Sequence, residues 1–559
     1  MKPARYAVAA AWIAIIGTLV YWLAVTPAPV LREQLKAAQF WSLELCVALM
    51  LALTAAVARS VWRELTRRDV LRMVCVSAFA VCLTVFAAPR TNRIYYDEQI
   101  YQSIGQNLSD VRRAQMCNDG SVEYGRLQCV SGEYNKQPYA YPHLLSLVYR
   151  IAGVDARWAF VVNNVVMGLT VAIVYLAALF LFGDRLAALF ASLLVALLPQ
   201  QILWSATAAA EPSASFACAL ALAAAAYFTV ARSTPALVLT AVVTAYAIQF
   251  RPESGLIVPV IALVLLQQSR DELRSVRLWW AGALFLALAA VHFAHLFAVR
   301  NEGWGTADAR LSLDYVAPNF AVNGRFYVAD ERFPVVVTLF ALAGLAVANG
   351  KSARSPLLLY FALFFGIDLL FYAGSYNYGA DVRYSLMTYP PLVLLAGLGA
   401  AHAARWLDTQ RLRVPASGAV ITALLFQFLW YMPVVRATTE EAWAARTDVR
   451  FAESRVLALR GNAYVLTHNP NMFQVWGVNA GQVSIVLNNP SYVDYLVTRY
   501  VAGVYFHWNF WCNVQVPEQQ ALCRKVLASR PATLVGEFRE RDQRFALYRF
   551  ETATKNTVK

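Results

Sequence analysis

The chain has 559 residues, of which 59% are hydrophobic and only 15% charged, and its mean hydropathy is +0.47. Soluble domains are about 45–50% apolar, so a water-solvated globule is excluded as the whole molecule. The formal charge of +14 falls in alternate short loops, where it orients a membrane protein, and it does not point to nucleic acid.

Apolar stretches near 20 residues recur through the first 430 positions, the length with which a helix rising about 1.5 Å per residue crosses about 30 Å of hydrocarbon. Thirteen segments are predicted: 6–26, 39–58, 70–89, 158–182, 185–204, 212–231, 235–250, 254–269, 278–299, 334–350, 356–374, 385–404 and 414–432. The first lacks a small-residue cleavage site and reads as a retained helix. The seventh and eighth are short and joined by Arg251-Pro252-Glu253, which suits a hairpin that does not fully cross. Charges there are costly in hydrocarbon and either pair with each other or line a cavity. Lys2 and Arg5, then Arg59, Arg63, Arg67, Arg68 and Arg72, then Arg270, Arg274 and Arg277, then Lys351 and Arg354, then Arg405, Arg411 and Arg413 mark cytoplasmic loops. Residues 90–157, 300–333 and everything after 433 then fall outside.

The first outside loop opens with IYYDEQIYQSIGQNLS, where Ile100, Ile104 and Leu108 recur at helical spacing behind Tyr96, Asp97 and Glu98. A carboxylate shielded at the membrane interface can accept the proton of an acceptor hydroxyl. Acids in a first turn also cap helices. The loop closes with GEYNKQPYAYPHLL, which holds Glu133, Lys136 and His143 near the next membrane entry. A lysine held there by prolines suits a phosphate, or snorkels to lipid headgroups.

Cys117 with Cys129 and Cys512 with Cys523 are two local pairs in outside segments. They read as disulfides in an oxidising compartment, and no CxxC spacing supports zinc. Cys46, Cys75, Cys82 and Cys218 lie in apolar helices as small hydrophobes. After residue 433, AYVLTHN, QVSIVLNN, VAGVYFHWN, TLVGEF and RFALYRF read as strands, PSYVDYLVTRY and PEQQALCRKVLASR as helices, and GEFRERDQRFALYRFE as a terminal hairpin. The expected architecture is a polytopic α-helical membrane domain over 1–432, including its outside loops, with a small extracytoplasmic α/β domain over 433–559.

An acidic pair opening the first large outside loop, followed by Lys-x-Pro-x-x-x-Pro into an apolar helix, resembles the membrane-embedded GT-C glycosyltransferases. The bacterial branch in question contains the lipid A aminoarabinose transferases, the protein O-mannosyltransferases and the rhizobial lipopolysaccharide sugar transferases. Ala209-Ala210-Glu211-Pro212, Arg251-Pro252-Glu253 and Asp381-Val382-Arg383-Tyr384, the last entering MTYPPLVLLAGLG, agree with it. The resemblance implies transfer of a sugar from a polyprenyl-phosphate donor to a cell-envelope acceptor on the outer side of a bacterial inner membrane. Asp97 then matches the family's acidic catalytic residue, the base of the reaction, with Glu98 beside it, and Lys136 matches the donor-phosphate contact. Arg300 and Arg383 are further phosphate candidates by position, and cations there stabilise charge on the departing phosphate. Tyr96, Glu133, His143, Glu211, Arg251, Glu253 and Tyr384 are expected around the same cavity. The chain departs from the pattern at Gln137, in the Cys117–Cys129 insertion, and in two extra apolar segments ahead of Asp97.

His143, His292 and His295 could approach Glu133 or Glu98 as ligands of a divalent metal, the one cofactor the sequence suggests, or serve as buried polar groups. Trp508, Trp511 and Tyr505 would stack on a sugar or fill a core. The competing readings are a transporter or flippase of an envelope precursor, an oligosaccharyl transferase or glycan polymerase of the same fold, and a non-catalytic scaffold. The absence of paired hydrophobic halves argues against transport.

Overall fold

The computed structural model describes the chain apart from residues 1, 95, 304, 305, 307, 348–350, 378–380, 410–415, 438–442, 457–460, 514–516 and 552–559. Arg411 and Arg413 lie outside the described residues. Nine described helices are long and apolar enough to span a membrane, from Ala4–Val25 to Ser417–Ala437. A tenth span is the pair Arg185–Leu197 and Pro199–Ser205, bent by 60° where Pro199 interrupts the backbone hydrogen-bond ladder. Three shorter apolar helices, Thr234–Ala247, Pro252–Gln268 and Val335–Val347, complete the counterparts of the thirteen expected segments. The second segment is longer than expected, a 37-residue helix over Ala28–Glu64. Its polar first turns continue the helix because Lys36 pairs with Glu33 at 2.8 Å and Arg32 with Glu302 at 3.0 Å.

Contacts group the chain into two units. The first comprises Met1–Arg90, Lys136–Tyr141 and Phe160–Glu440; the second comprises Thr91–Asn135, Pro142–Ala159 and Glu441–Lys559. The loop over 90–157, assigned from sequence to the membrane domain, thus mostly groups with the C-terminal region.

Within the first unit, the Val335–Val347 and Tyr389–Thr409 helices cross with their backbones in contact. A β-carbon on Gly344 would lie 1.9 Å from the Leu395 carbonyl oxygen, and one on Gly399 would lie 2.0 Å from that of Phe340. Only glycine permits that crossing, and it places the segment carrying Arg383 at the head of the second helix.

The second unit is built on one seven-stranded sheet: β1 (Met116–Glu123), β2 (Arg126–Glu133), β3 (Ala463–Thr467), β4 (Asn479–Gln482), β5 (Gly503–Trp508), β6 (Ala532–Glu540) and β7 (Gln543–Phe550), in the order β2-β1-β4-β3-β5-β7-β6. β3 runs parallel to both β4 and β5, and the remaining pairings are antiparallel. The β1–β2 hairpin comes from the loop over 90–157 and joins the sheet through Asp119↔Gly481 and Gly120↔Ala480. QVSIVLNN is not a strand: β4 ends at Gln482 and Ile485–Asn488 turns helical. Helix formation buries Val486 beneath the sheet with Leu466 and Val493, which a continuing strand would not. The other expected strands, both helices and the terminal hairpin are present. Both disulfides form, Cys117–Cys129 and Cys512–Cys523, with Cα separations of 5.7 and 5.6 Å. Tyr505 and Trp508 are buried in the sheet's two cores, so those two aromatics are packing groups.

Candidate functional site

In the first unit, four charged groups from three distant segments meet. Glu211 opens the Glu211–Ala231 helix, with Pro212 in its first turn, where proline costs no hydrogen bond. The turn before it is held by two amides on the Arg157–Phe182 helix. Asn163 donates to the Thr207 and Ala209 carbonyls, both at 2.8 Å, and Asn164 donates to the Ser205 carbonyl at 2.8 Å. Ser213 Oγ returns a hydrogen bond to Asn163 Oδ1 at 3.0 Å.

The Glu211 carboxylate, 1% exposed, is shared by two guanidinium groups: its Oε1 accepts from Arg251 Nη1 at 2.6 Å and lies 2.8 Å from Arg383 Nε. Arg251 Nε is also paired with Glu253. Arg383 Nη2 donates to the Tyr384 hydroxyl at 3.1 Å, and both guanidiniums lie over the Tyr384 ring, Arg383 at 4.9 Å and Arg251 at 5.4 Å from its centroid. Ser215 Oγ donates to the Leu386 carbonyl at 2.8 Å, which ties the Arg383 segment to the Glu211 helix. Burial of two arginines at 11–12% side-chain exposure requires such pairing, because an unpaired buried charge is costly. A guanidinium presents five N–H donors in a fixed fork. Two guanidiniums and two carboxylates balance in charge there, and the guanidinium fork is the geometry that pairs with an oxyanion.

The segment Lys136–Tyr141 also belongs to this unit. Ala140 N donates to the Gln249 carbonyl at 3.0 Å, two residues before Arg251, and Tyr139 packs edge-on against His295 at 5.2 Å. Lys136 Nζ donates to the Gly303 carbonyl, and His295 is hydrogen-bonded to the Lys136 backbone. Arg300 bonds its own helix end, donating to the Phe297 carbonyl at 2.6 Å and stacking on the Phe297 ring at 3.7 Å.

In the second unit, Asp97 is the first residue of the Asp97–Val111 helix, whose Ile100, Ile104 and Leu108 are buried as the spacing predicted. Tyr96, with φ 88, turns the chain into it, and its N–H donates to Gln99 Oε1 at 2.9 Å. Glu98 is fully buried, and its Oε1 accepts from the backbone N–H groups of Arg93 at 3.1 Å and Ile94 at 3.3 Å. Glu98 thus braces the approach to the helix, while Asp97 keeps partial exposure.

A polar relay lies beside Asp97. Gln482, at the end of β4, donates to the Tyr96 hydroxyl at 3.3 Å and to Asn118 Oδ1 at 3.5 Å, and Asn118 donates to Glu133 Oε2 at 2.5 Å. Burial, with the Glu133 and Asp97 carboxylates nearby, pushes the Tyr96 phenol up. Asp119, buried against the Tyr464 and Tyr492 hydroxyls, is raised by desolvation.

His143 is buried in the Ala140–Ala152 helix, where it belongs to the second unit, whereas His292 and His295 belong to the first and stack on each other at 5.9 Å. Among the described residues the one trio close enough to share an ion is His468, Cys512 and Cys523, and both thiols are spent in a disulfide.

Residues 136–295 match the family model described as dolichyl-phosphate-mannose-protein mannosyltransferase. That stretch holds Lys136, His143, Glu211, Arg251, Glu253, His292 and His295. No curated protein sequence matches the chain. ArnT from Cupriavidus metallidurans bound to undecaprenyl phosphate superposes with a TM-score of 0.54 at 13% identity, covering 87% of this chain and 98% of that one. The apo oligosaccharyltransferase of Archaeoglobus fulgidus gives 0.51 at 12% identity, with 87% and 75% covered. The fold is that of the GT-C membrane glycosyltransferases.

Within this GT-C fold the sequence motifs found Glu211, Arg251, Glu253 and Arg383 but not the residues that support them. Asn163 and Asn164 carry a legible signal, since two adjacent amides inside an apolar span need partners. Asn118 and Gln482 carry none, because only the sheet brings them to Asp97's neighbour.

Proposed function

We propose that the chain is a glycosyltransferase that moves a sugar from a polyprenyl-phosphate-linked donor to a cell-envelope acceptor on the outer side of the bacterial cytoplasmic membrane. The observation that carries this reading is the buried cradle of Arg251 and Arg383 on Glu211, in a fold shared with a protein solved bound to undecaprenyl phosphate. On this reading Arg251 and Arg383 hold the donor phosphate, with Lys136 and Arg300 as further contacts. Their positive charge stabilises the negative charge that grows on the phosphate as its bond to the sugar breaks. Asp97 is the base that takes the proton of the acceptor nucleophile, and Glu98 fixes the turn that presents it. Transfer of a whole glycan is the second reading, supported by the likeness to the oligosaccharyltransferase.

The test offers purified protein a panel of polyprenyl-phosphate sugars together with an envelope extract. Labelled sugar should move to the acceptor with native protein, and Asp97→Asn and Arg383→Ala should each slow that transfer by about 100-fold or more. Undiminished transfer in both variants would sink the site assignment, and transfer only from a lipid-linked oligosaccharide would establish the second reading.

A further inference from the structure

A cationic recess lies at the end of the first unit that the charge pattern makes cytoplasmic. A cavity of about 680 Å³ is lined by Arg67, Arg68, Arg72 and Arg185, with Thr66 and Asp69. Asp69 is fully buried. Its carboxylate accepts from Thr66 N at 2.8 Å, Thr66 Oγ1 at 2.7 Å, Tyr175 OH at 2.6 Å and Arg185 Nε at 2.9 Å. Through it, Arg185 is drawn from the start of one helix to the start of another. Arg185 Nη2 also donates to the Glu64 carbonyl at 3.3 Å. Arg72 lies near the Tyr175 hydroxyl as well, so the same buried pair adjoins a second arginine of the recess.

The preference of cytoplasmic loops for basic residues explains why these arginines lie on this side. It does not explain their gathering, since scattered side chains such as Arg59 and Arg63 satisfy that preference equally. Four arginines on two helical hairpins line this recess, and the carboxylate in its wall is already engaged by Thr66, Tyr175 and Arg185. Like charges brought together repel, and an oxyanion seated among them offsets the repulsion through forked hydrogen bonds.

We propose that this recess binds a phosphate-type oxyanion, which the inner leaflet supplies as the headgroup of an anionic phospholipid. The inference is independent of the donor site, which involves none of these residues.

The experiment is lipid titration of the purified full chain in detergent, read by native mass spectrometry, with phosphatidylglycerol, phosphatidylcholine, and in parallel inorganic phosphate and pyrophosphate. Phosphatidylglycerol should bind the native protein about tenfold or more tighter than phosphatidylcholine, and Arg68→Ala with Arg72→Ala should remove most of that difference. Arg59→Ala with Arg63→Ala should leave it unchanged. If pyrophosphate binds with the same dependence on Arg68 and Arg72 and displaces phosphatidylglycerol, the oxyanion site stands and its ligand is soluble. Equal binding of the two lipids, or equal loss in the Arg59/Arg63 variant, overturns the proposal by reducing the recess to diffuse surface charge. Should the double variant fail to fold, Arg68→Gln and Arg72→Gln measured singly serve instead, and undiminished selectivity in both has the same overturning force.

Discussion

Replacing Glu211 by Ala removes the one carboxylate shared by two buried guanidiniums. Breaking a buried ion pair from one side costs about 3–5 kcal/mol, because the remaining charge is stranded out of water. Arg251 keeps Glu253 as a partner and Arg383 keeps the Tyr384 hydroxyl with the Asp381 charge nearby, so the expected loss is at the lower end, about 3 kcal/mol. Arg383→Ala alone leaves Glu211 paired with Arg251 and should cost less. The double variant, with neither the shared carboxylate nor the Arg383 cation, should be more stable than the sum of the single losses predicts, with a coupling of about 2 kcal/mol. Denaturant unfolding of the purified protein in mixed micelles, run on the four members of this cycle, measures that coupling. Single losses that add to within about 0.5 kcal/mol would refute the shared-carboxylate account, whatever the effect on transfer.

Asp97→Asn should lower kcat for transfer by about 10²- to 10⁴-fold, the usual contribution of a general base, while the KM for the donor stays near its native value; steady-state kinetics decides, and a raised KM with unchanged kcat would reject the base. Glu98→Gln should instead loosen the turn it braces, and hydrogen exchange at Arg93 and Ile94 should accelerate. Burial lowers the His468 imidazole to about 4 from an ordinary value near 6.5. A depressed histidine favours folding while neutral, so its contribution is present above about pH 6.5 and is lost as pH falls towards 4; His468→Gln should flatten the unfolding profile in that window. Cys117→Ser with Cys129→Ser opens a loop of 12 residues and should cost about 3 kcal/mol on the chain-entropy account, measured as equal losses on mutation and on reduction of the native protein.

The membrane character, the thirteen apolar segments, the two disulfides and the motifs around Glu211, Arg251 and Arg383 follow from local sequence. Hydropathy over 20 residues and the spacing of cysteines are properties of short windows, and hydrocarbon tolerates charges only where they pair. Sequence alone left Arg251 and Glu253 as either an ion pair or cavity groups. Tertiary structure made the pair and added Glu211 and Arg383, which lie 40 positions before and 132 after Arg251 in the chain. It also separated Asp97 from Glu98, adjacent acids that local pattern treats alike, because one side chain turns inward onto the Arg93 and Ile94 amides. The division at residue 432 was drawn from hydropathy, which cannot see hydrogen bonds between distant segments. β1 and β2 find their sheet only by pairing with β4, more than 350 residues away in sequence, and a strand's edge carries no mark of its partner. Cations were readable one by one; which of them share an anion was decided by packing, since a guanidinium's charge is set by its chemistry and its partner by the fold.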